Sequence, residues 1–125
     1  MYITIDERDR RPLYRQVADE IKGLIAAGEL LEGSSLPPVR QVAADLGVNL
    51  NTVATAYRGL QREGFIKIKH GSGALVVARA PLQKADEQVQ IQLRAALTDL
   101  LLAGLTRAQV NALVNDVIDG LVKER

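Results

Sequence analysis

Between Val39 and Val77 the chain reads VRQVAADLGVNLNTVATAYRGLQREGFIKIKHGSGALVV, and the pattern predicts two short helices within it that stand only two residues apart. Val39, Val42, Ala43 and Leu46 fall at i, i+3, i+4 and i+7, so one face of a short helix is apolar. Gly47 follows where a left-handed residue would close that helix. Asn49 is placed to cap a second helix through its side-chain oxygen, and Val53, Ala56, Tyr57 and Leu60 repeat the same spacing up to Gly64. A connection of Gly47 and Val48 alone makes the helices cross steeply and leaves the outer face of the second one open. That geometry is a helix-turn-helix.

With Val53, Ala56, Tyr57 and Leu60 turned inward, the residues left at the open end of the second helix are Asn49, Asn51, Thr52, Thr55 and Arg58. Short amide and hydroxyl groups suit base edges and phosphate oxygens, and the free N–H groups of a helix start favour an anion. Taken alone, the same residues also describe an ordinary solvated face with a capping Asn. The next segment bears on that choice. Ile66 and Ile68 alternate with Lys67 and Lys69, which predicts a half-buried strand with lysines on its open side, and Ala74–Val77 is apolar enough to pair with it. His70-Gly71-Ser72-Gly73 is the turn between them. A basic hairpin after such a helix is a wing, and Gly71 and Gly73 let its backbone approach a duplex closely.

The net charge of +1 conceals a segregation. Residues 1–39 carry five basic and seven acidic side chains, residues 40–79 six and two, and residues 80–125 five and six. Positive charge therefore gathers on the helix-turn-helix and wing, as expected where one face meets phosphate, although a solvated basic patch would count the same. At 125 residues the chain holds one compact core and a small appendage. With 47% hydrophobic and 25% charged residues, a folded globular chain is expected. The sequence has no apolar run of the ~20 residues needed for a spanning helix, and MYITIDERDRRP has no signal-peptide core, so no membrane association is expected. Zero cysteines exclude disulfides and fit a reducing compartment.

On the N-terminal side, Tyr2-Ile3-Thr4-Ile5 is a possible short strand, and Pro12 stands well at the start of a helix carrying Leu13, Val17, Ile21, Leu24 and Ile25 to near Gly28. Gly33-Ser34-Ser35-Leu36 provides a turn and a third short strand before Pro37-Pro38 opens the next helix. Tyr14 and Tyr57 read as core or phosphate-contacting residues. On the C-terminal side, Arg79-Ala80-Pro81 reads as a linker. Val89, Leu93, Ala96, Leu97, Leu100 and Leu101 then make one long stripe, with Ile91, Leu102 and Leu105 adding apolar surface off it. Thr106 to Gln109 is a capping box, followed by Val110, Leu113, Val114, Val117, Ile118, Leu121 and Val122 at clean helical spacing. Two helices do not close a core, so this pair is expected to pack on the same hairpin of a second chain, the alternative being the N-terminal domain of its own chain.

The blocks PLYRQVADEIKGLIAAGEL, LPPVRQVAADLGV, NTVATAYRGLQREGFI and HGSG, in that order, resemble the N-terminal domain of GntR-type bacterial transcription regulators over about residues 12–77. NLNTVATAYRGL and the short helical C-terminal segment narrow the resemblance to the YtrA-like subfamily. Larger relatives carry a metabolite-binding domain in that region, for which a segment of about 45 residues has no room. The resemblance implies that Arg40 contacts the operator, that Asn49, Asn51 and Thr52 occupy reading positions, and that His70 and Gly71 form the wing tip. It also implies a repressor, and the lack of a signal-peptide core predicts a cytoplasmic one. Where the fatty-acid-type branch places arginines on the recognition helix, this chain has Leu50 and Ala54, so base preference does not transfer.

Enzyme readings have little support. His70-Gly71-Ser72-Gly73 faintly resembles an oxyanion loop, but no G-x-S-x-G elbow accompanies it. One histidine without cysteine falls short of a usual zinc ligand set, and neither glycine run meets a nucleotide fingerprint, so no catalytic residue, metal or cofactor is expected. A winged helix serving protein assembly or RNA binding is the remaining alternative, disfavoured by a polar Asn/Thr face beside a lysine-rich wing. The expected architecture is mainly α with a small β wing: a winged helix-turn-helix over 1–78, a linker over 79–82 and a dimerisation hairpin over 83–125. The expected DNA-binding set is Arg40, Asn49, Asn51, Thr52, Thr55, Arg58, Lys67, Lys69, His70, Gly71 and Gly73. Leu93, Leu97, Leu100, Leu101, Val110, Leu113, Val114, Val117, Ile118 and Leu121 would join two copies into a homodimer on a pseudo-palindromic double-stranded operator. No large effector pocket is expected.

Overall fold

The computed structural model describes residues 1–70, 73–77 and 87–122. The linker expected over 79–82 and the first residues of the segment after it lie outside them. The chain divides into two units, Met1–Arg79 and Ala80–Arg125.

In the first unit, helix α1 (Leu13–Ala26) follows Pro12, whose fixed φ suits a helix start and whose carbonyl accepts from the Gln16 N–H. Val17 and Ile21 are fully buried and Ile25 packs on the core, whereas Leu13, in the first turn, stays exposed. Gln16 is buried beside them without an energetic penalty, because its side-chain amide donates to the Arg11 carbonyl at 3.0 Å. Arg11 binds both Asp9, at 2.6 Å, and Asp19 of α1, which clasps the N-terminal segment to the helix. Its hydrogen bond holds the Asp9 carboxyl below its ordinary range.

Strand β1 (Ser35–Leu36) leads into α2 (Val39–Leu46) and α3 (Leu50–Arg62). Gly47 closes α2 in the left-handed region at φ +68°, and the Val48 N–H returns to the Ala43 carbonyl at 3.0 Å. Asn49 then caps α3, its Oδ1 accepting from the Asn51 N–H at 2.7 Å. Strands β2 (Ile66–Ile68) and β3 (Ala74–Val76) form the hairpin, and β3 lies between β1 and β2 in an antiparallel sheet. Ile66 faces Val76, Lys67 faces Leu75 and Ile68 faces Ala74. This register turns Ile66, Ala74 and Val76 into the core and Lys67 out. The core is closed by Val17, Ile21, Val53, Tyr57 and Leu60, its largest fully buried side chains.

The possible strand at 2–5 does not form. Ile3 and Ile5 do turn toward the core while Thr4 is exposed, so the alternation is real. The segment uses it to pack side chains and pairs with no sheet edge.

The second unit contains α4 (Glu87–Leu102) and α5 (Arg107–Leu121). Thr106 caps α5 in a full capping box: its Oγ1 accepts from the Gln109 N–H at 3.2 Å, and Gln109 Oε1 accepts from the Thr106 N–H at 2.9 Å. Val110 is 8% exposed, and among the described residues of these helices it alone is buried. Leu97, Leu100 and Val114 are half-buried, and Leu93, Leu101, Leu113, Val117, Ile118 and Leu121 are exposed. Burial thus falls off along α5, from its first turn to its last. No helix among the described residues is long and apolar enough to cross a membrane.

Candidate nucleic-acid interface

The α3 pattern sends one stripe inward and leaves the opposite side to solvent. Val53, Ala56, Tyr57 and Leu60 are buried, while Asn49, Asn51 and Arg58 are exposed and Thr52, Ala54 and Thr55 are half-exposed. Because the Asn49 oxygen is committed to the cap, the part of that side chain free to act as a donor is its amide nitrogen. Arg58 Nη2 donates to Thr55 Oγ1 at 3.3 Å, one turn back along the helix.

A groove opens between the start of α2, the first turns of α3 and the wing. Arg40, Leu50, Asn51, Ala54, Lys69 and Gly73 line it, and Tyr57 and Ile68 also border it. Four residues expected from the sequence to bind DNA are therefore brought to one place: Arg40, Asn51, Lys69 and Gly73. Thr55 lies on a different groove between α1 and α3, shared with Tyr14, Arg15, Lys22 and Arg62. Lys67 and His70 are exposed along the wing, and Gly71 lies outside the described residues.

Gly73 is required by its surroundings. Its φ is +81°, and a Cβ there would come within 2.6 Å of the Leu36 carbonyl oxygen. The close approach is to the chain's own backbone at the entry to α2. Across the turn, the Lys69 N–H donates to the Gly73 carbonyl at 2.8 Å, which closes the described part of the wing.

Two residues that the sequence pattern did not single out as polar partners hold this surface in shape. Gln61 Oε1 accepts from the Ile68 N–H at 2.8 Å, tying β2 to the last turns of α3. An exposed glutamine seven residues from its partner carries no periodic signal, so nothing in the sequence marked it. The buried Tyr57 donates its hydroxyl to the Pro37 carbonyl at 2.7 Å, linking α3 to the start of α2. Burial pushes that phenol up to about 12. Tyr14 is exposed and is not part of the core. Among the described residues no three His, Cys, Asp or Glu side chains gather as a metal site would need.

Comparison with known proteins fits this geometry. The profile for "Bacterial regulatory proteins, gntR family" matches residues 13–76. The HTH-type transcriptional repressor YtrA of Bacillus subtilis (strain 168) is 30% identical over 118 residues, 92% of this chain and 91% of that protein. The structure of YtrA from Sulfolobus acidocaldarius, a GntR-family transcription factor, superposes with a TM-score of 0.64 at 38% identity, covering 77% of this chain and 97% of that one. AraR(DBD) in complex with operator ORE1 superposes with a TM-score of 0.53 at 25% identity, over 62% of this chain and 94% of that one. With a family match across more than half its length and a relative alike over nearly all of it, the chain belongs to the gntR family of bacterial regulatory proteins, in its YtrA-like branch, and is a DNA-binding transcription regulator.

Proposed function

We propose that the protein is a cytoplasmic repressor without catalytic activity that binds a pseudo-palindromic duplex operator as a homodimer. Each copy would lay the start of α3 in a major groove and the wing beside it. Arg40, Lys67, Lys69 and His70 supply phosphate contacts, Asn51 and Thr52 contact base edges, and Thr55 and Arg58 meet the flanking backbone. Asn49 contributes its amide N–H groups. Gly71 is assigned to the same contact from its place in the sequence, and Gly73 shapes the turn.

The observation that carries the dimer is the exposed apolar face of the second unit. Val117 is 54% and Ile118 48% exposed, with Leu121, Leu113, Leu93 and Leu101 also in solvent. Fully burying each such side chain is worth roughly 1.5–3 kcal/mol, so a partner surface is strongly favoured. Leu97, Leu100, Val110 and Val114 are the more buried members of that face, and a second copy of the hairpin would offer the same apolar surface in return. Joining two half-site readers adds ~10²–10⁴ in affinity through effective concentration.

The test is sedimentation and DNA titration of the full chain and of a Val117→Asp, Ile118→Asp double variant. The parent should sediment as a dimer and bind one selected operator per dimer. The variant should sediment as a monomer, keep weak half-site binding and lose the tight complex. A variant that stays dimeric with unchanged operator affinity would show that the hairpin is not the joint.

A further inference from the structure

We propose that Leu50 and Ala54 form a methyl reader, contacting the C5-methyl groups of thymine in the operator half-site. The inference rests on the proposed binding of α3 to duplex DNA and assigns that surface a base preference. Leu50 opens α3 and Ala54 follows at i+4, so the two side chains share one face of the helix. Leu50 is 42% exposed and Ala54 is half-exposed, and both line the groove that carries Arg40 and Lys69. An apolar strip flanked by two cations is poorly matched to water, and it is equally poorly matched to an apolar protein partner, which would strand the charges. A duplex satisfies both parts at once. Its phosphates meet the cations, and the apolar group it offers on a major-groove edge is the thymine methyl. Asn51, on the next position of the same helix and in the same groove, carries the amide that pairs with adenine N6 and N7. The groove therefore favours A·T pairs, with adenine read by the amide and thymine by the aliphatic surface. This reading also explains why a large aliphatic residue is left half in solvent on the polar side of α3.

The test begins with selection of an operator by the full-length protein from random duplexes. Each dT of the half-site is then replaced in turn by dU, which removes the methyl and leaves every base-pairing group in place. At one or two positions the parent should bind the dU duplex about fourfold more weakly, the ~0.8 kcal/mol expected for one methyl-sized group. At the same positions Leu50→Ala or Ala54→Gly should bind dT and dU duplexes equally, a ratio that a general loss of stability does not move. Indifference of the parent to dU throughout the half-site would overturn the methyl reader while leaving operator binding intact, and so would dU discrimination that persists unchanged in both variants. If selection recovers no operator, the proposed reading of a specific site by α3 falls as well.

Discussion

Gln61 and Ile68 are joined by a 2.8 Å hydrogen bond in which the side-chain oxygen of the recognition helix accepts the backbone N–H of the wing strand. The bond spans an element boundary and ties the wing strand to the last turn of α3. Replacing Gln61 with Met removes the acceptor while keeping the aliphatic stem. The expected result is a loss of about 0.5–1.5 kcal/mol in urea unfolding, together with weaker operator binding as the wing loses its tether. Gln61→Glu keeps an acceptor and should retain the stability, while the negative charge it adds beside the lysine-bearing wing strand should still weaken binding to a polyanion. Operator affinity and stability both unchanged in Gln61→Met would show that the wing is held by other contacts.

The Tyr57 hydroxyl predicts an alkaline limit to stability. Burial keeps the proton on the folded phenol up to about 12, whereas the unfolded chain releases it near its ordinary value of 10. Between those values the folded state binds more protons, so stability is fully present below about pH 10 and falls as pH rises toward 12. At about 1.4 kcal/mol per pH unit the loss is roughly 2–3 kcal/mol. Tyr57→Phe should abolish this part of the alkaline transition and cost about 1 kcal/mol at neutral pH, where the Pro37 carbonyl loses its donor. Chemical denaturation of both proteins from pH 8 to 11.5 checks it; parallel curves would exclude Tyr57 as the titrating group.

Arg40 and Asn51 border one groove and should separate cleanly in binding measurements. Arg40→Ala is expected to weaken operator and random DNA alike and to flatten the salt dependence by about one unit of slope, because one phosphate contact is lost. Asn51→Ala should cost ~1–3 kcal/mol on the operator and little on random duplex. Its side-chain amide takes no part in the cap, which uses only the Asn51 backbone N–H, so the helix start survives the change. Equal losses on both DNAs for Asn51→Ala would move the reading role to another residue.

The helix-turn-helix was legible in the sequence because its signals are local. Two apolar stripes of period 3.6, a glycine at the turn and an asparagine at the cap act through neighbours within four residues, and α2, Gly47, Asn49 and α3 stand where that logic puts them. The wing strands and the capping box at Thr106 were legible for the same reason. The segment at 2–5 shows the limit: alternation of Ile3 and Ile5 marks a half-buried extended chain, but a strand also needs a free edge, and the sequence says nothing of edges.

The sequence by itself determined the inward stripes of α2 and α3, where those two helices begin and end, and that positive charge gathers over residues 40–79, since each follows from the chemistry of near neighbours. Tertiary structure alone decided what meets across distance. It set Gln61 against Ile68 and Tyr57 against Pro37, and it brought Gly73 up to the Leu36 carbonyl, so that a glycine expected to serve a close approach to DNA is demanded by the chain's own backbone. It also drew Arg40, Leu50, Asn51, Ala54 and Lys69 around one groove while sending Thr55 to another. The reason is physical: side-chain period records which side of an element is buried, whereas the neighbours across a groove depend on crossing angles and strand register that only the packed core settles.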